Sequence, residues 1–433
     1  MEICHSNNKR DRFKNYILLV MQRFWLTFEL FNKNGLMNHA AASAYGFLLS
    51  AAPALLFISF IASYFLTVSS EFVDSMLGQI EPLFGVFDVK HFIINFFNSG
   101  GSGISGIAGL ISVITIFWTT RLCMLSIQRG LGVVFPGASS VLKNNIVTLV
   151  LGLAAMIIIL ITVIGLRAAI MLLNSIDSAP QSDIAPIINI SIRFFFMFSL
   201  AILSMSAYRF FPAKHPKFKN IIYGALACII FYQIFATGFT LLINPDRYDL
   251  IYGTLGRLFL FLMNIYFFFV FFFFGGQLIN VLDFSDALLF IRLREVYSKG
   301  MPAKQVLDKL FATLTKPLKK YYEFYKKDET VFEIKSHGQE VYYVISGKAG
   351  AYLDNEYKNR ISLINETNFF GEMASITSDQ RAASIKAETD LEVLKLPPDI
   401  FKTILHLDPN IDQSLIKNLS IQLKSINQKI HSS

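Results

Sequence analysis

The chain is short of charge. Only 16% of its 433 residues are Asp, Glu, Lys or Arg, against roughly 25% in an ordinary soluble protein. It is also short of cysteine. Cys4, Cys123 and Cys228 cannot build a disulfide framework, and no CxxC or His-rich spacing marks a zinc site. The apolar first part has no cluster of Asp, Glu or His to hold catalytic metals, and no nucleophile–base pair stands out anywhere. An enzyme is therefore the least supported reading, and no obligatory cofactor is expected. A channel has little support either, because no repeated carbonyl-filter or charged-ring pattern is visible. The N-terminal apolar stretch Tyr16–Met21 is short and runs into Arg23, which does not read as a cleavable signal.

Hydrophobic residues make up 53% of the chain, including 43 Phe. They are unevenly spread. The first 285 residues hold 30 charged side chains and 36 of the Phe, whereas the last 148 hold 40 charges. Two solvents are implied, lipid for the first part and water for the second. The net charge of +8 lies mostly in the first part. There it reads as a marker of cytoplasmic loops, and no nucleic-acid partner is expected.

A membrane-spanning helix needs about 20 apolar residues. Residues 41–68, 146–173, 187–211, 221–243 and 253–282 meet this, and 107–135 does so while carrying Arg121, Gln128 and Arg129. Six spans are expected. Segment 12–33 mixes Arg12, Lys14, Arg23 and Lys33 with Phe13, Tyr16, Phe24, Trp25, Phe28 and Phe31, the composition of an interfacial amphipathic helix. Basic-rich and basic-poor connections alternate without a break. Lys9 to Lys33 precede the first span, and Lys90 stands alone against Glu71, Asp74, Glu81 and Asp88 after it. Lys143 follows the second span, Asp177 and Asp183 the third, and Arg209, Lys214, Lys217 and Lys219 the fourth. Arg247 sits with Asp246 and Asp249 after the fifth. By the positive-inside rule both termini are cytoplasmic.

Ionisable residues inside spans are costly and so are candidate functional groups. Arg121 lies deep in its span, where helix carbonyls or Gln128, seven residues on, are its expected partners. Arg167, Arg193 and Arg257 fall toward the outer ends of theirs and could line a site for an anionic solute or head group, or could snorkel to the interface. Pro53 would kink the first span beside the small residues Ala40 to Ala44, which allow close helix approach. The run Phe267–Phe274 reads as packing and lipid-facing surface.

Five segments occur in the order found in the YihY/BrkB family of bacterial inner-membrane proteins, which this part of the chain resembles. They are Ala40–Ile58, Trp118–Pro136, Tyr208–Pro212 with Gly224-Ala225, Tyr252–Gly256, and Gly275–Leu278. The resemblance implies a six-helix plasma-membrane protein with cytoplasmic termini. It implies no single activity, since the family has carried ribonuclease, serum-resistance and transporter labels.

Residues 286–299 alternate apolar and basic side chains at helical spacing, and Gly300-Met301-Pro302 ends them. Lys316, Lys319, Lys320, Lys326 and Lys327 follow with Tyr321, Tyr322 and Tyr325, a set that could touch anionic lipid or simply be solvated. Beyond 328, short alternating stretches predict strands at Thr330–Ile334, Val341–Ile345, Ala349–Leu353, Ile361–Ile364, Ala383–Ala387 and Leu391–Leu396. That density predicts a β jelly roll, closed by a helical stretch over 409–429. The chain divides on this reading into an all-α membrane domain (1–285), a helical linker (286–317) and a β domain with flanking helices (318–433).

Between two strands stand Phe369-Phe370-Gly371-Glu372-Met373-Ala374 and, nine residues beyond the glutamate, Arg381-Ala382-Ala383-Ser384. A glycine admits backbone conformations closed to other residues, and an arginine fork is suited to a phosphate. The pattern closely resembles the phosphate-binding cassette of cyclic nucleotide-binding domains of the Crp and protein-kinase-A regulatory-subunit type. That resemblance implies Arg381 on the cyclic phosphate and Glu372 on the ribose 2′-hydroxyl. It also implies Gly371, Met373 and Ala374 around the cradle, with backbone contacts from Ala382 and Ala383. Asp328 stands where a turn glycine is usual. Ala382 offers no hydroxyl, which favours cAMP over cGMP. The expected partners are the bilayer and a cyclic nucleotide, with a homo-oligomer left open. Transport or envelope work on an anionic solute or lipid, under nucleotide control, is the leading reading. A membrane-anchored sensor or scaffold is the alternative, and ribonuclease the weakest.

Overall fold

The computed structural model describes residues 9–50, 118, 121–135, 181–212, 215–242, 245–298, 310–311, 313–358, 360–377, 379–408 and 411. The chain forms two compact units, one made of Thr27–Asp283 and the other of Met1–Leu26 with Phe284–Ser433. The expected span 146–173, Pro53 and Arg167 lie outside the described residues. So does the closing stretch 409–429, apart from Ile411.

In the unit Thr27–Asp283, helices follow the last turns of α1 (Lys9–Lys33). They are α2 and α3, described over 36–50 and 121–134, then α4 (Gln181–Phe210), α5 (Phe218–Leu242) and α6 (Pro245–Asp283). Among the described residues, two stretches are long and apolar enough to cross a membrane, Phe218–Phe239 and Phe259–Asp283. Helix α6 begins earlier than the sequence suggests, taking in Asp246, Arg247 and Asp249 from the expected loop 244–252. Pro245 suits the first helical position, and acidic residues near a helix start complement its dipole.

Small residues bring α5 and α6 together. A Cβ added to Gly275 would lie 2.5 Å from the Gly224 carbonyl oxygen, so here backbone meets backbone. The Phe-rich run packs inward in part, with Phe269, Phe272, Phe273 and Phe274 all buried. Polar side chains serve as internal ties. The Tyr208 hydroxyl donates to the Phe272 carbonyl at 2.5 Å, and Asn280 Nδ2 donates to the Val134 carbonyl at 2.6 Å.

In the other unit, α7 (Ser285–Ser298) and the short α8 (Lys316–Lys319) lead into an eight-stranded double sheet. Its strands are β1 (Tyr322–Tyr325), β2 (Thr330–Phe332), β3 (Val341–Ser346), β4 (Ala349–Tyr352), β5 (Arg360–Ile364), β6 (Phe369–Phe370), β7 (Ser384–Ala387) and β8 (Leu391–Leu396). The sheets are ordered β1-β8-β3-β6 and β2-β7-β4-β5, and every pairing is antiparallel, as a jelly roll requires. Six strands match the expected stretches. β1 and β6 are additional, and α9 (Glu372–Thr377) and α10 (Pro398–Leu407) complete the described part.

Three segments distant in sequence join in this unit. Gln22, buried on α1, donates from Nε2 to the Leu310 carbonyl at 2.8 Å and accepts from the Thr315 hydroxyl at 2.8 Å. Arg23 Nη2 donates to Ser285 Oγ at 3.2 Å. Asp286 receives Lys320 Nζ at 2.7 Å and the Tyr321 hydroxyl at 3.0 Å. Farther along α7, Phe290 meets the rings of Tyr343 at 5.1 Å and Phe369 at 5.9 Å, and Arg294 lies over Phe369.

Candidate functional site

The site grows from the β3–β6 register. Tyr342 pairs with Phe370 and Tyr343 with Phe369. The Tyr342 and Phe370 rings stack at 4.9 Å with planes 3° apart. Gly371 follows with φ +78°, a left-handed conformation that turns the chain sharply into α9. The turn aims the Gly371 carbonyl at Arg381, whose Nη1 donates to it at 3.0 Å. Arg381 Nη2 donates to Glu340 Oε2 at 3.3 Å. The guanidinium lies 4.2 Å from the Phe332 ring centroid and 5.8 Å from that of Tyr342. Backbone bonds with Lys335 and Ser336 hold the arginine from the other side.

Arg381 is only 3% exposed, so it is a buried cation in a cage of rings, a carboxylate and a carbonyl. Burial pulls its pKa below the ordinary guanidinium value, opposed by Tyr342, Glu340 and Glu372. Glu372, 6% exposed, is pushed up by burial, against the pull of its own backbone N–H and of Arg381. An arginine so held can offer a rigid fork to an anion, and a buried carboxylate nearby can accept a hydrogen bond from a hydroxyl.

Of the residues anticipated for this site, Gly371, Glu372 and Arg381 come together. Ala374 is on the buried face of α9, Met373 is 39% exposed, Ala382 is exposed, and Ala383 is half-buried at the entry to β7. Phe332, Glu340 and Tyr342 belong to the site and were not anticipated. No spacing in the sequence marks Glu340, which reaches Arg381 because the β2–β3 loop returns beside it.

The membrane arginines fare differently. On α3 the buried stripe is Cys123, Ile127, Leu131 and Val134, and Arg121 lies off it, exposed. Arg121 is thus on the surface of its unit and not in a buried pocket. Gln128 is half-buried and engaged with a neighbour. Arg193 lies on α4 and Arg257 on α6, but their side chains are outside the described residues. Among the described residues, no three His, Cys, Asp or Glu gather as a metal site would need.

Comparison with known proteins bears on both units. The family model described as virulence factor BrkB matches residues 27–286, and that of the cyclic nucleotide-binding domain matches 322–408. Among curated proteins, the cAMP-dependent protein kinase regulatory subunit of Colletotrichum orbiculare is 35% identical over 81 residues, covering 19% of this chain and 20% of that protein. The Aspergillus fumigatus regulatory subunit is 33% identical over 81 residues, 19% of each. The chain thus spans about a fifth of the length of these relatives. Among solved structures, the Thermus thermophilus catabolite activator protein matches at 23% identity over 26% of this chain and 55% of that one, with a TM-score of 0.23. The cAMP-bound PfPKA-R (141–441) matches at 22% identity over 34% of this chain and 46% of that one, with a TM-score of 0.24.

Proposed function

The chain belongs to the virulence factor BrkB family and carries a cyclic nucleotide-binding domain, and from this we propose that it is a six-span inner-membrane protein whose work on an anionic solute or lipid is set by a cytosolic cyclic nucleotide. The observation that carries the nucleotide part is the caged Arg381, held on Gly371 O and Glu340 with Glu372 close in charge. The cyclic phosphate would take the guanidinium fork and the ribose 2′-hydroxyl would donate to Glu372. Ala382, with no hydroxyl to offer, supports cAMP over cGMP.

Control of the membrane part requires the ligand to favour one state of the protein over another. A packed route for this starts at Phe369, next to the cassette, and continues through Phe290 and Arg294 on α7. Helix α7 starts at Ser285, two residues after α6 ends. On this reading the protein is not an enzyme, and its termini are cytoplasmic.

Calorimetry on the full chain in nanodiscs with cAMP and cGMP tests the nucleotide part. Saturable binding of cAMP, weaker binding of cGMP, and loss of both in Arg381→Ala are expected. No binding of any cyclic nucleotide would overturn it. Flux or lipid-scrambling assays in proteoliposomes, with and without nucleotide, test the transport part. An activity unchanged by nucleotide would leave the control proposal without support.

A further inference from the structure

Helix α1 has two faces with opposite fates. Leu19, Gln22 and Leu26 are buried, and Gln22 makes its hydrogen bonds to Leu310, Thr313 and Thr315 from there. On the other side Phe13, Ile17, Val20 and Phe24 follow one another at four, three and four residues, the spacing of a single helix face. All four are exposed, Phe13 at 65%, and Tyr16 and Met21 flank them exposed as well. At about 100° per residue this stripe lies nearly opposite Gln22. The helix therefore cannot turn its apolar face inward without giving up the bonds of Gln22. The stripe belongs to the unit built from the charge-rich end of the chain, where an apolar row this exposed is out of place.

We propose that α1 seats the nucleotide-binding unit on the cytoplasmic leaflet, its apolar stripe entering an anionic lipid surface. Two observations favour lipid over a second copy of the chain. Lys9, Arg10, Arg12 and Lys14 crowd the start of the helix against one acid, Asp11, so two such helices would repel while anionic head groups would attract. The helix also runs on into Thr27, where the membrane-family region begins, so the stripe stands at the threshold of the bilayer. Apolar side chains below and basic side chains at head-group level are the arrangement of an interfacial helix.

The test uses the full chain in nanodiscs of phosphatidylcholine with or without phosphatidylglycerol. Its only tryptophans, Trp25 and Trp118, are replaced by Phe, and single indoles are introduced by Val20→Trp, Phe24→Trp or Asn15→Trp. Asn15 is exposed on the side away from the stripe. Lipids brominated in the acyl chain should quench the indoles at 20 and 24 several-fold more than the one at 15, and phosphatidylglycerol should strengthen this. The triple variant Phe13→Gln, Ile17→Gln and Val20→Gln changes only exposed positions, so it keeps the fold. It should abolish quenching at 24. Equal quenching at all three positions would overturn the proposal. Cross-linking of two copies through the stripe without lipid quenching would do the same.

Discussion

The Thr315 hydroxyl donates to Gln22 Oε1 at 2.8 Å across 293 residues of sequence. Thr315 stands at the N-cap of α8, where its side chain would ordinarily cap the helix, but it makes no cap bond. Its hydroxyl goes instead to α1. Both side chains are buried, at 1% and 2% exposure. Gln22→Ala would remove the partner of that hydroxyl and of the Leu310 carbonyl, at a cost of about 1–3 kcal/mol. Hydrogen exchange on the full chain should show faster exchange in α1 and α8 together, with the eight strands nearly unchanged. Thr315→Val should show part of this effect and add little to Gln22→Ala, because the two changes break the same bond.

Arg381 joins the cassette to the β2–β3 loop by donating to both Gly371 O and Glu340. Truncating a buried, hydrogen-bonded charge typically costs about 2–5 kcal/mol of binding. Arg381→Ala should therefore weaken cyclic nucleotide binding by roughly a hundredfold or more. Arg381→Lys should rescue little, since an ammonium cannot reproduce the planar fork. Glu340→Gln should cost less than tenfold, about 1.4 kcal/mol, because the guanidinium keeps its bond to Gly371 O and its place against Phe332. Titrations of the three variants in one calorimeter check the ranking.

Burial holds the Glu372 carboxyl above its ordinary 4.5. Relative to the unfolded chain, the fold therefore shifts this group toward its protonated form. Its contribution to stability is fully present below 4.5 and is lost as pH rises through the raised value. Nucleotide binding has the opposite dependence, because the ribose hydroxyl needs the carboxylate as acceptor. Affinity should be full above the raised pKa and should fall as pH drops through it. Glu372→Gln should flatten both trends and lower the affinity at neutral pH. Thermal melts and titrations across an acidic pH series measure the two slopes in the same samples.

Much of this was legible in the sequence because it rests on local pattern. Strands β3 and β8 show as apolar runs between turn residues, and each is six residues long in the structure. Gly371, Glu372 and Arg381 stand out through the resemblance of their spacing to a known cassette, and the structure brings the three together. Asp328 takes φ +69°, so where the resemblance has a turn glycine the residue departs but the backbone does not. What was hidden depends on partners. β6 is two residues long and exists only through its pairing with β3. Glu340 acquires its role from the return path of a loop. Gln22 meets the segment before α8 through contacts that carry no period. The hydrophobic run around Arg121 fixes its position along the helix, but which face of that helix is buried is settled by its neighbours, and Arg121 is on the exposed one.

Gly371 offers the sharpest test of the cradle. At φ +78° any side chain meets the left-handed penalty of about 1–2 kcal/mol. A Cβ there would also stand 2.6 Å from Arg381 Nη1 and 3.2 Å from the Glu340 carbonyl oxygen. The guanidinium has little room to yield, being held against the Phe332 ring at 4.2 Å. Gly371→Ala should thus destabilise the domain and displace the fork, lowering cyclic nucleotide affinity at least tenfold, about 1.4 kcal/mol. Gly338→Ala is the matched control, since its Cβ would approach the same arginine at 3.2 Å and Glu340 Oε2 at 3.0 Å, both side-chain tips. With no left-handed backbone to strain, it should cost clearly less in both melting temperature and affinity. An equal or larger loss in Gly338→Ala would mean that crowding of the arginine, and not the Gly371 turn, sets the geometry of the cradle.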